Sequence, residues 1–421
     1  MIQIVLASLL GQYVEVAYPP SATPGELQFG VTYTLWVPDG VKKLRGVIVH
    51  QHGCGSGACK GGATAAYDLH WQALAKKWDC ALMGPSYQQE DKQDCKLWCD
   101  PRNGSERAFL RSLVDLGAKS GHPEIETAPW CLWGHSGGGT WSSLMQLLHP
   151  DRIVAVWLRS GTGYSSWKEE VADAVYAVPV MCNPGAKENG DKRFNGAYTG
   201  TLAMFQAYRA KGAPIGFAPD PRTAHETGDS RYLAVPFFDA CLAMRLPGAD
   251  GKLRPVDLKA SWLAAPLSGT ASPASAYAGK PEEAVWLPNE SVAKAWAEYV
   301  KTGATGDATP PAAATGLKAE AKLDGTIELT WSAEADFESG IKAFVIQRDG
   351  KDLGQLPEKP VGKFGRPLFQ SMSYHDTPEK PLPEMRFVDR APVAGTKHEY
   401  CVIVVNGVDL RSEPSKPTRR P

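Results

Sequence analysis

The chain has 421 residues, of which 43% are hydrophobic and 22% charged; such fractions are ordinary for globular proteins and exclude a disordered or fibrous chain. Lysine and arginine number 45 and aspartate and glutamate 46, so a formal net charge of -1 provides no global field to attract nucleic acid or an anionic membrane. No apolar run reaches the roughly 18–20 residues of a membrane-spanning helix. The length predicts two domains, or one large and one small.

Residues 1–12 are similar to the apolar part of a secretory signal, although a basic start and a clear cleavage site are missing; a short first strand is the alternative. Nine cysteines are present, and Cys54 with Cys59 and Cys95 with Cys99 lie close together in loops. Local disulfides there would suit an oxidising compartment, and neither pair has the C-x-x-C spacing of a zinc site. We therefore expect a secreted or periplasmic protein.

Short apolar runs rich in β-branched residues alternate with helical patterns through the first half of the chain. The predicted strands are 13–16, 31–37, 46–50, 80–85, 130–133, 153–158, 178–182 and 214–218. The predicted helices are about 61–77, 105–118, 137–148 and 194–211. This order predicts an α/β fold, a mostly parallel sheet flanked by helices. A loop joins the first two strands, so the sheet is expected to begin with an antiparallel hairpin.

The pattern changes after residue 246. Residues 247–285 are rich in Pro, Ala, Ser and Gly, and a helix over 290–301 is predicted to end the first domain, 1–301. Residues 302–316 contain almost no large apolar side chain and have the composition of a linker. Residues 317–421 alternate like strands, with turn signals between them, and predict a small all-β immunoglobulin-like sandwich.

Two aromatic residues characterise this second domain. Trp331 lies in an early strand and Tyr400 opens a late one, a pattern that resembles a fibronectin type III domain with Tyr400 as the corner tyrosine. The stretch 355–390 is long for such a domain and is expected to form an extended loop.

The strongest chemical signal is G-x-S-x-G at residues 134–138, centred on Ser136. An apolar run precedes it and a helical pattern follows, as a sharp strand-to-helix turn that exposes a serine hydroxyl requires. A glycine-rich turn without chemistry is the alternative interpretation. With this motif, residues 1–301 resemble the α/β-hydrolase superfamily, in particular its serine esterases, in which the chain order is nucleophile, acid, histidine.

The resemblance implies a base and an orienting acid. The base is expected in the loop after the last strand, where His225 follows residues 214–218. The acid is expected after strand 178–182, where two carboxylates compete. Glu188 has the family's Gly-x-x-acid spacing, with Glu in place of the usual Asp, whereas Asp191 has the usual side chain; we favour Glu188 and keep Asp191 as the alternative.

The resemblance also implies an oxyanion hole, two backbone N–H groups that bind the negative oxygen of the tetrahedral intermediate. One would come from Gly137 and the other from the glycine-rich loop after strand 46–50, through Cys54 or, alternatively, Gly55. A Cys54–Cys59 disulfide could keep that loop rigid.

Six aromatic residues fall near loops at the expected ligand-binding end of the sheet. We expect substrate contacts chiefly from Tyr87, Trp98 and Trp167, with core packing as the alternative for each. The six are Tyr87, Trp98, Trp133, Trp167, Phe237 and Phe238.

The sequence thus predicts a carboxylic ester hydrolase that acts through an acyl-enzyme, with a small or polymeric ester as substrate and carbohydrate-linked, feruloyl-type or polyester compounds as candidates. No metal or organic cofactor, nucleic acid partner or membrane span is expected. The β domain is expected to dock to a polymer or protein surface, or to act as a spacer. The alternatives are a serine peptidase with the same triad and a non-catalytic binding protein.

Overall fold

The computed structural model describes residues 11–248, 251–360, 362, 367–381, 385–393 and 395–420. The candidate signal segment, except its last two residues, lies outside the described residues. A mixed eight-stranded sheet flanked by helices forms the larger part of the chain, and small antiparallel sheets form the rest. Within the described ranges, no helix has both the length and the apolar character needed to cross a bilayer.

The large sheet has the strand order β1-β2-β4-β3-β5-β6-β7-β8. β1 and β2 form an antiparallel hairpin, β2 is antiparallel to β4, and all other neighbours are parallel. The strands are β1 Gln12–Tyr18, β2 Val31–Val37, β3 Gly46–Gln51, β4 Cys80–Tyr87, β5 Trp130–His135, β6 Ile153–Arg159, β7 Val180–Asn183 and β8 Ile215–Phe217. The predicted mostly parallel sheet with an antiparallel start is confirmed. β3, β5, β6 and β7 are buried along their whole length, which explains their continuous apolar runs.

Eight α-helices accompany the sheets in the described ranges. They are α1 Ser56–Gly62, α2 Leu69–Lys77, α3 Lys96–Cys99, α4 Ser105–Ser120, α5 Gly137–Leu148, α6 Asn195–Arg209, α7 Arg231–Arg245 and α8 Glu290–Thr302. Helix α8 shows why such a segment starts and stops where it does. The Asn289 side chain accepts a hydrogen bond from the Val292 N–H at 2.9 Å, and Gly303 ends the helix with a φ of 68°.

One helix prediction was wrong. The segment 61–77 is not a single helix, because α1 ends at Gly62 and α2 begins only at Leu69. Asp68 caps α2, accepting hydrogen bonds from the N–H groups of His70 and Trp71, and its extended backbone (φ -76°, ψ 111°) interrupts the helical path. The Asp68 cap therefore starts a new helix inside a segment whose apolar pattern predicts one continuous helix.

The weakly patterned stretch after α7 contains a small sheet that the sequence analysis missed. Its antiparallel order is β10-β9-β11. The strands are β9 Trp262–Ala264, β10 Ala271–Pro273 and β11 Val285–Leu287. Three residues are too few to show the alternation that identifies a strand.

The C-terminal β region, residues 315–420, consists of two antiparallel sheets, ordered β12-β13-β16 and β15-β14-β17-β18. Its strands are β12 Thr315–Ala321, β13 Ile327–Ser332, β14 Ile341–Arg348, β15 Lys351–Leu356, β16 Arg386–Asp389, β17 His398–Asn406 and β18 Thr418–Arg420. Trp331 packs edge-on against Phe344 between the sheets, with ring centroids 5.3 Å apart. The Tyr400 hydroxyl donates to the Asp389 carboxylate at 2.7 Å. The domain boundaries stay a prediction.

A buried charge cluster joins this region to the large sheet. The Arg231 side chain donates to both oxygens of Asp68, at 3.1 and 2.6 Å, and to Asp376 Oδ1 at 2.9 Å. All three side chains are at most 3% exposed. The Arg231 guanidinium lowers the pKa of Asp376 against the opposing effect of burial.

We predict that Arg231→Leu costs about 3–5 kcal/mol of stability, because two buried carboxylates would lose their counter-charge. Urea unfolding followed by tryptophan fluorescence measures the change. Arg107→Leu is the control, since Arg107 is 70% exposed and lies 3.6 Å from Glu26; we expect a change within about 0.5 kcal/mol. Equal losses of stability in the two variants would contradict the stabilising role of the buried charge cluster.

Candidate active site

The carboxyl ends of the parallel strands meet at one edge of the large sheet. Ser136 follows β5, Glu188 lies in the loop after β7, and His225 lies in the loop after β8. Three side chains that are far apart in the sequence thus reach the same edge, as expected for strands that run in the same direction.

The backbone at Ser136 has an unusual conformation, with φ 55° and ψ -117°. A side chain is rarely tolerated there, and the surroundings leave little room for other atoms. A Cβ placed on Gly138 would lie 2.3 Å from the Gln51 carbonyl oxygen, and one placed on Gly134 would lie 2.2 Å from the Gly138 carbonyl oxygen. The glycines of the motif therefore permit a close approach between the turn and β3 that alanine would prevent.

Ser136, His225 and Glu188 form a continuous hydrogen-bonded chain. His225 Nε2 lies 2.9 Å from Ser136 Oγ, and His225 Nδ1 lies 2.5 Å from Glu188 Oε1. The carboxylate can only accept, so Nδ1 carries the proton and Nε2 is left to accept from the serine hydroxyl. This is the arrangement in which a histidine acts as a general base toward a serine.

The two candidate acids have different positions. Glu188 is fully buried, and its second oxygen accepts the Gly185 N–H at 3.0 Å, so that both oxygens have a partner. Asp191 instead accepts the N–H groups of Arg193 and Phe194, each at 2.7 Å, and these bonds lower its pKa. The structure brings the favoured Glu188 to His225, whereas the side chain of the alternative, Asp191, caps a turn. That Glu188 is the orienting acid stays a prediction.

The His225 ring and its loop are held from several sides. The Phe194 ring stacks on the imidazole with centroids 3.8 Å apart and an interplanar angle of 9°. Arg159, at the end of β6, donates to the Thr223 hydroxyl at 2.7 Å and to the Glu226 carbonyl in the same loop. His135 Nε2 lies 2.6 Å from the His225 carbonyl oxygen. These contacts fix both the ring and the backbone of the base.

The peptide N–H groups of Gly137 and Cys54 are the expected donors of an oxyanion hole. Among the described residues, neither the Gly137 N–H nor the Cys54 N–H has a hydrogen-bond partner, whereas the Gly55 N–H donates to Gln89 Oε1 at 3.2 Å. The His52 Nδ1–H donates to the Gly53 carbonyl at 2.6 Å. Because a peptide unit is planar, this bond also fixes the direction of the Cys54 N–H.

The expected local disulfides are not formed. Cys54 is bonded to Cys95, with a Cα–Cα distance of 5.7 Å, and Cys59 and Cys99 are buried free thiols. Cys59 lies inside α1, where burial raises the pKa of its thiol to about 11. The disulfide abuts the nucleophile turn, since a Cβ placed on Gly137 would lie 2.2 Å from Cys54 Sγ. A loop that was expected to be closed on itself is instead tied to the loop after β4.

The expected aromatic substrate contacts need correction. Tyr87 and Trp98 are buried and stack on each other with centroids 4.5 Å apart, so they are core residues and not surface contacts. Trp167 is half-buried, with the Arg102 guanidinium 5.4 Å from its ring centroid, and stays a candidate. The other three aromatic candidates are buried as well, namely Trp133, Phe237 and Phe238.

The sequence analysis missed several residues of this site. Arg159 had a recognisable signal, a charged residue at the end of an otherwise apolar strand. His135 occupies a variable position of the motif, and no sequence signal linked it to His375, whose Nδ1 lies 2.9 Å from His135 Nδ1. That contact joins residues 240 positions apart.

We predict that Gly138→Ala destabilises the protein by about 1–3 kcal/mol or more and abolishes reactivity at Ser136, because the new methyl group would meet the Gln51 and His52 carbonyl oxygens. Thermal unfolding and labelling with a fluorophosphonate probe measure the two effects. Gly196→Ala is the control: no atom lies within 4 Å of its Cβ position in α6, so we expect it to add about 0.5–1 kcal/mol of stability. Normal labelling of Gly138→Ala would contradict the steric argument.

We also predict that Glu188→Gln slows phosphonylation of Ser136 by about 10³–10⁴-fold, since an amide that donates to Nδ1 would force the proton onto Nε2. Asp191→Asn is the matched control, because an amide oxygen can still accept from the two backbone N–H groups; we expect a rate within about threefold of the unmodified protein. Labelling rates at several probe concentrations measure both variants. The reverse order of effects would make Asp191 the acid.

No family model matches the chain, and no curated protein matches it. A solved S-formylglutathione hydrolase from Agrobacterium tumefaciens is 15% identical, with 56% of this chain and 95% of that chain aligned and a TM-score of 0.34. A solved thermostable esterase is 14% identical over 49% of this chain, with a TM-score of 0.34, and the match spans 54% of that esterase. A Fn3-like protein from Clostridium thermocellum is 23% identical, with 26% of this chain and 92% of that chain aligned and a TM-score of 0.17. Likenesses of this size carry no functional argument, so the function has to be argued from the site itself.

Proposed function

We propose that this chain is a serine hydrolase of the α/β-hydrolase superfamily that cleaves carboxylic esters through an acyl-enzyme on Ser136. The observation that supports it most directly is the hydrogen-bonded chain from Ser136 through His225 to Glu188. It occurs on a turn whose backbone conformation presents the serine at the edge of the sheet.

The first half of the reaction follows from the hydrogen-bond directions. His225 Nε2 removes the proton from Ser136 Oγ as that oxygen attacks the acyl carbon of the ester. Glu188 stabilises the positive imidazole that results and keeps its ring in place. His225 then gives the proton to the departing alcohol oxygen, which leaves an acyl group on Ser136 and a free alcohol.

The negative oxygen of the tetrahedral intermediate needs donors at a fixed position. The unpartnered N–H groups of Gly137 and Cys54 are our candidates, and the Gly55 N–H is excluded because Gln89 already accepts its hydrogen bond. A single such donor typically contributes about 3–4 kcal/mol to the transition state. The Cys54–Cys95 disulfide and the His52 bond to Gly53 keep one of these donors in place.

The second half of the reaction repeats these roles with water. His225 removes a proton from a water molecule, the water oxygen attacks the acyl carbon, and the proton returns to Ser136 Oγ as the acid product leaves. An ester is the simplest substrate for this set of groups, because its leaving oxygen needs only the proton that His225 carries.

The remaining parts of the proposal concern location and the C-terminal region. The Cys54–Cys95 disulfide supports an oxidising compartment, as in a secreted or periplasmic protein. The two antiparallel sheets, with Trp331 between them and Tyr400 bonded to Asp389, support a fibronectin type III-like sandwich.

We predict that the protein hydrolyses p-nitrophenyl esters and that Ser136→Ala lowers kcat by at least about 10⁴-fold, because the nucleophile is lost. A panel of short and long acyl esters, a feruloyl ester and aminoacyl anilides measures which acyl compounds react. Ser120→Ala, which changes a serine at the end of α4, is the control and is expected to retain full activity.

Preferential cleavage of the anilides would favour a peptidase. An equal rate for Ser136→Ala and the unmodified protein would contradict the proposed mechanism.

A further inference from the structure

The C-terminal β region reaches the proposed active site through one stretch of chain. This stretch, the inserted segment, comprises residues 367–381 between β15 and β16. Its Gln370 side chain accepts the Leu69 N–H at 2.8 Å and donates to the Tyr67 carbonyl at 2.7 Å, next to the start of α2. The Thr64 hydroxyl donates to the Pro378 carbonyl at 2.5 Å. Both ends of the inserted segment are therefore fastened to the large α/β part of the chain.

The middle of the inserted segment is held at the site itself. Asp376 binds the buried Arg231 guanidinium, and the Thr227 hydroxyl donates to the Tyr374 carbonyl at 3.1 Å. Thr227 lies two residues after His225, in the loop that carries the base. The inserted segment thus contacts the loop that carries His225, at a point between its contacts through Gln370 and Pro378.

His375 lies between these contacts, and its Nδ1 is 2.9 Å from His135 Nδ1. His135, the residue before the nucleophile, is in turn 2.6 Å from the His225 carbonyl oxygen through Nε2. A Cβ placed on Gly53 would lie 3.3 Å from His375 Nδ1 and 3.2 Å from Ser136 Cβ. His375 therefore contacts the residue before Ser136 and, like Ser136, lies close to Gly53.

The directions of these bonds follow from their acceptors. The His225 carbonyl can only accept, so the proton of His135 is on Nε2. Burial lowers the pKa of His135 well below its usual value, so its ring is neutral and its Nδ1 is a bare acceptor. His375, whose pKa burial lowers to about 4, is also neutral and must donate from Nδ1. Both hydrogen bonds therefore point in the same direction: His375 donates to His135, and His135 donates to the His225 carbonyl.

We propose that His375 is a positioning residue, supplied by the C-terminal β region, which holds His225 against Ser136 through His135. The inference rests on the proposed function and gives the C-terminal β region a part in catalysis. Docking to a polymer or protein by another face of this region stays a separate prediction. A small displacement of a reacting group has a large effect on reaction rate. His375 can therefore affect the reaction although two hydrogen bonds and His135 lie between it and His225.

The test measures phosphonylation of Ser136 in the full-length protein with a fluorophosphonate probe, so that no ester substrate has to be known. Rates at several probe concentrations separate the maximal rate constant, kinact, from the apparent affinity, KI. We expect His375→Ala to lower kinact by about 10–100-fold with KI within about twofold. His375→Asn places an amide N–H where Nδ1–H lies, and we expect it to keep kinact within about threefold of the unmodified protein.

His398→Ala provides the structural control, since His398 Nδ1 lies 2.6 Å from Asp349 within the same β region. We expect it to lower the melting temperature without lowering kinact. An unchanged kinact in His375→Ala would overturn the inference, as would a loss that His375→Asn does not restore or that His398→Ala reproduces. An unmodified protein that fails to react at all would contradict the proposed function, and this inference with it.

Discussion

The site depends on one close approach of two backbones. Ser136 has a left-handed backbone conformation, and the helix that follows it presses Gly138 against the carbonyl oxygens of Gln51 and His52. Because no side chain intervenes, β3 and the turn after β5 lie in contact, and the loop after β3 reaches the serine. The same approach brings Gly53 next to Ser136 and the Cys54 sulfur next to Gly137. A methyl group on Gly138 would push the turn that carries Ser136 away from β3.

Local chemistry explains what the sequence could predict. Strands β3, β5, β6 and β7 of the large sheet are buried along their whole length, so their composition identifies them. The glycines around Ser136 mark a tight turn. The spacing of Glu188 from Gly185 was informative because the carboxylate must turn back to accept the Gly185 N–H. In each case the signal lies within a few residues of the feature it predicts.

The features that were missed depend on contacts across long stretches of chain. Cys54 pairs with a partner 41 residues away and not with its neighbour Cys59, because α1 directs the neighbouring thiol into the core. Tyr87 and Trp98 lie in loops by sequence, yet they stack on each other in the core, and each also contacts the His52 ring. No local sequence pattern identifies such residues, because their contacts come from distant parts of the chain. His375 is the extreme case, since its contact joins residues 240 positions apart.

The charge cluster around Arg231 has a consequence for the order in which the protein is made. Asp68 and Arg231 are synthesised early, but Asp376 follows Arg231 by 145 residues. Until that late stretch has been synthesised, the Arg231 guanidinium has only one of its two carboxylates, and the His225 loop lacks its hydrogen bond to Tyr374. A nascent chain that stalls before this point would carry Ser136, Glu188 and His225 without the segment that contacts the His225 loop. The segment that carries Asp376 is therefore the last part of this buried charge cluster to be synthesised.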